Sequence, residues 1–166
     1  MTGLRSRKLA APLGGALALA VLAASLAVAA EPPTRDEYVA RVEPICKTNV
    51  EANKRIFKGA KAQVKAGELK QGSKHFLRAA TALNKTIAQL EAVPQPSADE
   101  AKLAKWIGYL HTESGYFQKI GKALATDNKY KAQNLSVKLN RNSNLANNTV
   151  LVFGFNYCRI DSSRFS

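Results

Sequence analysis

The sequence predicts an all-α protein, an up-down-up-down four-helix bundle closed by one disulfide. Three observations predict it. Beyond residue 33, apolar residues recur at steps of three and four in four successive runs, the period of one helix face. Proline, glycine or a Thr-Asp-Asn turn marks each gap between the runs. The two cysteines, Cys46 and Cys158, stand near the two ends of this helical stretch. Four amphipathic helices joined by short turns pack with neighbours antiparallel, which brings the end of the fourth beside the start of the first. A disulfide between the two cysteines then joins ends that the topology already brings together.

A leader precedes the bundle. Residues 1–8 carry Arg5, Arg7 and Lys8 and no acid, and an almost unbroken apolar stretch runs from Leu9 to Leu26. It closes on Ala27-Val28-Ala29-Ala30, followed by Glu31-Pro32-Pro33. A positive start, an apolar middle and small residues at the end form a secretory signal. The cut is placed after Ala30, with Ala29 as the alternative. No Arg-Arg pair points to the twin-arginine route, and no cysteine at the cut offers a lipid attachment point. The competing reading is an uncleaved anchor, because the apolar stretch approaches spanning length. The expected organisation is a signal over 1–30 and a helical domain over 31–166. That domain has no membrane span after cleavage and is secreted or envelope-associated, outside the cytoplasm. In an oxidising compartment an even pair of cysteines reads as a disulfide, the other reading being two free buried thiols.

Each helix has its own signals. The first begins at Thr34, where Glu37 supplies the spacing of a capping box. Tyr38, Val42, Ile45, Asn53 (a polar exception), Ile56, Ala60 and Val64 make its face, and it ends near Gly67. Pro44 inside it predicts a kink or a short first segment. The second spans about 68–93, with Leu69, Gly72, Phe76, Ala80, Leu83, Ile87 and Leu90 as its stripe and Pro94 and Pro96 as its stop. The third starts at Ser97, with Glu100 completing a second capping box. Leu103, Trp106, Ile107, Leu110, Phe117, Ile120 and Leu124 form its inner face. The fourth follows Thr126-Asp127-Asn128, carries Tyr130, Leu135, Leu139, Leu145 and Val152, and stops near Gly154. Its β-branched and aromatic end, 149–153, allows a strand-like finish.

Tyr38-Val39-Ala40-Arg41 leading to Ile45-Cys46, with Gly154-Phe155-Asn156-Tyr157-Cys158 near the end, resembles a family of uncharacterised secreted or lipid-anchored actinobacterial proteins. The resemblance covers most of the mature chain. It implies a helical bundle with one disulfide and no established activity. This chain departs from it in Pro44 and in its positive charge.

Charge is the strongest functional signal. With residues 1–30 removed, 22 Lys and Arg face 12 Asp and Glu, a net charge of +10. In a four-helix up-and-down bundle, residues 54–78 and 116–138 lie toward one end. They hold 13 basic residues against only Glu68 and Asp127, so this end carries the whole net charge. Candidate anion-binding residues are Lys54, Lys58, Lys61, Lys65, Lys70, Lys74 and Arg78, with Lys54, Lys58, Lys61 and Lys65 on one stripe of the first helix. The expected partners are an anionic cell-surface polymer or lipid headgroups. The plainer reading is a solvated face that confers solubility. Nucleic acid fits poorly. Tyr109 and Tyr116 lie among Lys102, Lys105 and Lys119, where bases could stack, but an exported protein meets little nucleic acid.

No catalytic residue, metal or cofactor is expected. His75 and His111 are offset by roughly 12 Å along the bundle, too far to share an ion. No Glu-x-x-His or Gly-x-Ser-x-Gly pattern occurs, and the mature chain has no Met for an axial ligand. Asn134, Asn140, Asn142, Asn144, Asn147 and Asn148 crowd the fourth helix although Asn is a poor helix former. Asn142 and Thr149 fall on its inward stripe, which leaves two readings. Either Asn142 joins a buried polar network, or Asn142, Asn144 and Thr149 line a polar groove for a small ligand or cofactor. The function expected is therefore non-enzymatic binding through the basic end, the alternative being a small-ligand bundle.

Overall fold

The computed structural model describes residues 31–160, and the signal reading for residues 1–30 lies outside them. The described chain is all-helical, without strands. It comprises α1 (Arg35–Ile56), α2 (Ala60–Lys65), α3 (Leu69–Glu91), α4 (Glu100–Ala125) and α5 (Lys129–Thr149). Two short 3-10 turns, Ser97–Asp99 and Leu151–Phe153, complete it. α3 packs along α4, α4 along α5, and both α1 and α2 against α3. Among the described residues, no helix is long and apolar enough to cross a membrane.

α1 begins as the sequence requires. The Glu37 N–H donates to Thr34 Oγ1 at 3.3 Å, and the Thr34 N–H donates to Glu37 Oε2 at 2.8 Å. Two opening amides are thereby satisfied. Pro44 does not end this helix, which runs through to Ile56. The break comes later, at Phe57–Gly59, where Gly59 takes a left-handed φ of 81° that a side chain disfavours. One run of apolar residues thus becomes two helices, α1 and α2. The reason is local: periodicity continues through a single turn of irregular backbone.

α3 and the inner face of α4 follow the predicted stripes. Leu69 to Leu90 and Leu103 to Leu124 supply most of the core. Gly121 lets the two helices approach closely, since a Cβ there would meet Leu77 at 2.9 Å and the Ser73 carbonyl at 3.2 Å. The second capping box does not form. Ser97 lies in a 3-10 turn and α4 opens at Glu100 without a side-chain cap. Asp99 is turned instead toward Arg35, whose Nε and Nη2 donate to its two oxygens at 2.8 and 3.0 Å, with Lys102 Nζ at 3.4 Å. This fork ties the start of α1 to the start of α4. The Arg35 guanidinium holds the Asp99 carboxyl below the usual carboxylate range.

α5 differs most from expectation. Its inward face is Leu139, Asn142, Ser143, Ala146 and then Val150, whereas Leu145 is 44% exposed, Tyr130 76% and Val152 56%. The face is rotated away from the large apolar residues because small side chains, Ser143 and Ala146, lie at the line where α5 meets the core. The strand-like finish is absent: 151–153 is a 3-10 turn that Gly154 ends in the left-handed region. Phe153 and Phe155 turn back into the core. Phe155 lies 5.4 Å from the Trp106 ring, and Phe153 stacks on Phe155 at 5.2 Å.

The expected disulfide is present. Cys46 and Cys158 are bonded, with Cα atoms 5.0 Å apart. Two features beside it were not foreseen. The Glu43 carboxylate accepts the backbone N–H groups of Asn156 at 2.8 Å and Tyr157 at 3.0 Å. The Asn147 amide pairs with both backbone groups of Ile160, each at 2.7 Å. These contacts satisfy backbone that leaves the last helix without entering another.

Candidate functional site

The turn after α1, one face of α2, the start of α3, the end of α4 and the first half of α5 meet around a cavity of about 550 Å³. The chain reaches this geometry through the break at Gly59. Phe57 is turned onto Phe76, with ring centroids 5.2 Å apart, and α2 lies against α3. Contact there is close, since a Cβ on Gly72 would meet Val64 Cγ2 at 2.6 Å. Val64, Phe76, Ile120 and Leu124 give the cavity apolar walls, while Lys61, Lys65 and Lys129 bring amines to it.

All seven predicted anion-binding residues are exposed. Only Lys61 and Lys65 line the cavity, where Lys129 joins them. The single stripe expected for Lys54, Lys58, Lys61 and Lys65 is not formed. Lys54 is on α1, Lys58 in the turn, and the other two on α2. The left-handed Gly59 resets the helical phase between them. Lys70, Lys74 and Arg78 lie on α3, outside the lining.

The groove along the fourth helix is likewise not assembled. Asn142 is buried and its Nδ2 donates to the Tyr109 carbonyl at 2.9 Å, joining α5 to α4. Asn144 is exposed, as two residues of helix separate it from Asn142 by more than half a turn. The Thr149 hydroxyl donates to Leu145 of its own helix. Of the two readings, the buried polar network is the one found. Asn142→Ala should therefore cost about 1–3 kcal/mol in urea unfolding; an unchanged midpoint would show that the Tyr109 contact contributes nothing.

The histidines serve structure. His75 is half-buried, its Nδ1 against the Ile56 carbonyl and its Nε2 2.7 Å from Gln63 Oε1, so it braces the α1–α2 break. His111 pairs with Glu91 at the surface, at 2.9 Å. Among the described residues, no group of three His, Cys, Asp or Glu could hold a metal. Tyr109 and Tyr116 are half-buried and packed on the core, and Lys119 sits over the Tyr116 ring. That placement does not offer two free faces for stacked bases.

One buried acid escaped the sequence reading. Glu113 is 3% exposed on the inner face of α4. It beds into a second, small cavity of about 60 Å³ beside the disulfide, which Trp106, Asn49, Asn53 and Thr86 also line. Among the described residues, Trp106 Nε1 and the Oδ1 atoms of Asn49 and Asn53 have no hydrogen-bond partner. A space of this size and polarity suits bound water. Burial pushes the Glu113 carboxyl up to about 8, and the Ser143 hydroxyl at 3.3 Å opposes this only partly. Ser143 also lies 3.1 Å from the Leu139 carbonyl, and its one hydrogen cannot serve both oxygens. A protonated Glu113 resolves the conflict by donating to Ser143, which then donates to Leu139. The signal was present in the sequence: Glu113 falls three residues after Leu110 and four before Phe117, on the apolar stripe.

No family model, no curated protein and no solved structure matches this chain.

Proposed function

We propose that this chain is an exported, non-enzymatic binding module that holds anionic partners at the cell envelope through its basic end. One observation carries the reading. The 13 Lys and Arg residues of 54–78 and 116–138 are all exposed, and the segments bearing them converge on one cavity. We also propose that α1, α3, α4 and α5 alternate up and down. The Arg35–Asp99 fork at one end and the cavity at the other support that order, and the likeness to secreted actinobacterial bundles is part of the same reading.

Clustered exposed lysines attract polyanions and anionic headgroups with steep salt dependence. The test is a salt gradient over immobilised heparin and over anionic vesicles. Retention beyond about 0.15 M salt is expected, together with earlier elution of Lys54→Glu/Lys58→Glu/Lys70→Glu at an unchanged melting temperature. Elution of the parent protein below that salt would sink the proposal. The small-ligand alternative is favoured by a different observation, the 550 Å³ cavity, which is lined by the first half of α5 and the basic end rather than by Asn142, Asn144 and Thr149.

A further inference from the structure

We infer that the cavity at the basic end is a binding site for a long-chain fatty acid, with its alkyl tail against the apolar walls and its carboxylate held by Lys65 and Lys129. The inference rests on the reading of the basic end as the anion-binding pole and gives that pole a specific ligand.

The walls and the rim ask for different chemistry. Phe57, Val64, Phe76, Ile120, Leu124 and Ala132 present carbon to the cavity. A polymeric or inorganic anion would leave that surface wet, and apolar surface gains only by excluding water. A neutral hydrocarbon would fill the walls and leave the amines of Lys65 and Lys129 without use. A molecule with an apolar body and one anionic end satisfies both.

Size narrows the class. The cavity, about 550 Å³, lies within the range of small-molecule sites, roughly 300–1,000 Å³. A methylene fills about the same space as a liquid water molecule, roughly 30 Å³, so one chain of under about twenty carbons fits and two do not. That selects a single-chain acid over a two-chain lipid. A polar group beside the lysines also suits a carboxylate: Gln133, one turn beyond Lys129 on α5, carries an amide that can donate to it, whereas the Ser136 hydroxyl is already bonded to the Ala132 carbonyl.

The opening is marked as well. Val137 lines the cavity yet is 69% exposed, so an apolar side chain stands at the mouth mostly uncovered by the described residues. A bound tail would cover it.

The probe is cis-parinaric acid, an intrinsically fluorescent eighteen-carbon acid, titrated into purified protein below its aggregation concentration. Saturable binding of one molecule per chain is expected, with displacement by palmitate and displacement at least tenfold weaker by methyl palmitate. Val137→Trp, at an exposed position that leaves the core intact, should block the mouth and remove binding while the melting temperature and heparin retention stay as in the parent. Lys65→Glu/Lys129→Glu should weaken parinarate binding at least tenfold. Absence of saturable binding overturns the inference. So does binding indifferent to Val137→Trp or to the lysine reversals, and so does a dimer whose formation excludes the acid, which would make a second copy the occupant. Heparin retention that persists without fatty-acid binding removes the ligand and leaves the basic-end reading standing; fatty-acid binding without heparin retention does the reverse.

Discussion

Cys46→Ala/Cys158→Ala should lose on the order of 4–5 kcal/mol of stability, the largest loss expected from removing one link in this protein. The bond closes a loop of 112 residues, nearly the whole described domain. Opening it releases a long constraint on the unfolded chain, and the chain-entropy relation gives the stated magnitude for a loop of that length. Both cysteines are buried, so alanine keeps the local packing apolar. Urea unfolding of parent and variant measures the difference, and dithiothreitol should move the parent to the variant's midpoint. The contrary result is informative. If the midpoint holds and only the segment after Gly154 becomes sensitive to protease, then Glu43 and Asn147 suffice to hold the chain end, and the bond is local.

Raising the pH from 5 to 8 should destabilise the parent protein and leave Glu113→Gln nearly level. In the unfolded chain the Glu113 carboxyl titrates at the ordinary value of 4.5, whereas in the folded protein burial raises it to about 8. Between these values the native state binds a proton that the unfolded state has released. Stability from this group is therefore complete below the lower value and is lost as pH rises through the higher one. At 1.36 kcal/mol per unit the full loss is on the order of 5 kcal/mol, most of it reached by pH 8. Subtracting the variant's profile from the parent's cancels the other titrating groups, and the two should cross so that Glu113→Gln is the more stable at pH 8. The only tryptophan, Trp106, lines the same small cavity, so its emission should titrate with a midpoint near 8 in the parent alone. Parallel stability profiles would mean that Glu113 is ionised in the fold.

How much was legible differs from helix to helix. α3 and α4 carry large apolar residues wherever they meet the core, and their stripes give length, face and partner together. In α5 the core positions beside Leu139 are filled by Asn142, Ser143 and Ala146, so a stripe drawn through large residues finds Leu139 but strays from the buried face and places Leu145 inside when it is outside. The groove built on that stripe fails with it. The second capping box fails for another reason. Ser97 and Glu100 have the right spacing, but spacing is local, and Asp99 is drawn to an arginine 64 residues away.

The sequence by itself determined the helical class, the stripes of α3 and α4, the Thr34 cap and the pairing of the only two cysteines. Each is a matter of period, of neighbours along the chain, or of count. It also determined where the positive charge lies along the chain. Only the tertiary structure decided that the first run breaks at Gly59 rather than Pro44, that the break opens a cavity walled by five segments, and that lysines from α2 and α5 share its lining. It alone buried Glu113 against Ser143 and set Glu43 on the chain end. The physical reason is common to all of these: a cavity, a desolvated acid and a carboxylate latch are relations between residues far apart in sequence, and periodicity carries no information about what faces a stripe across the core.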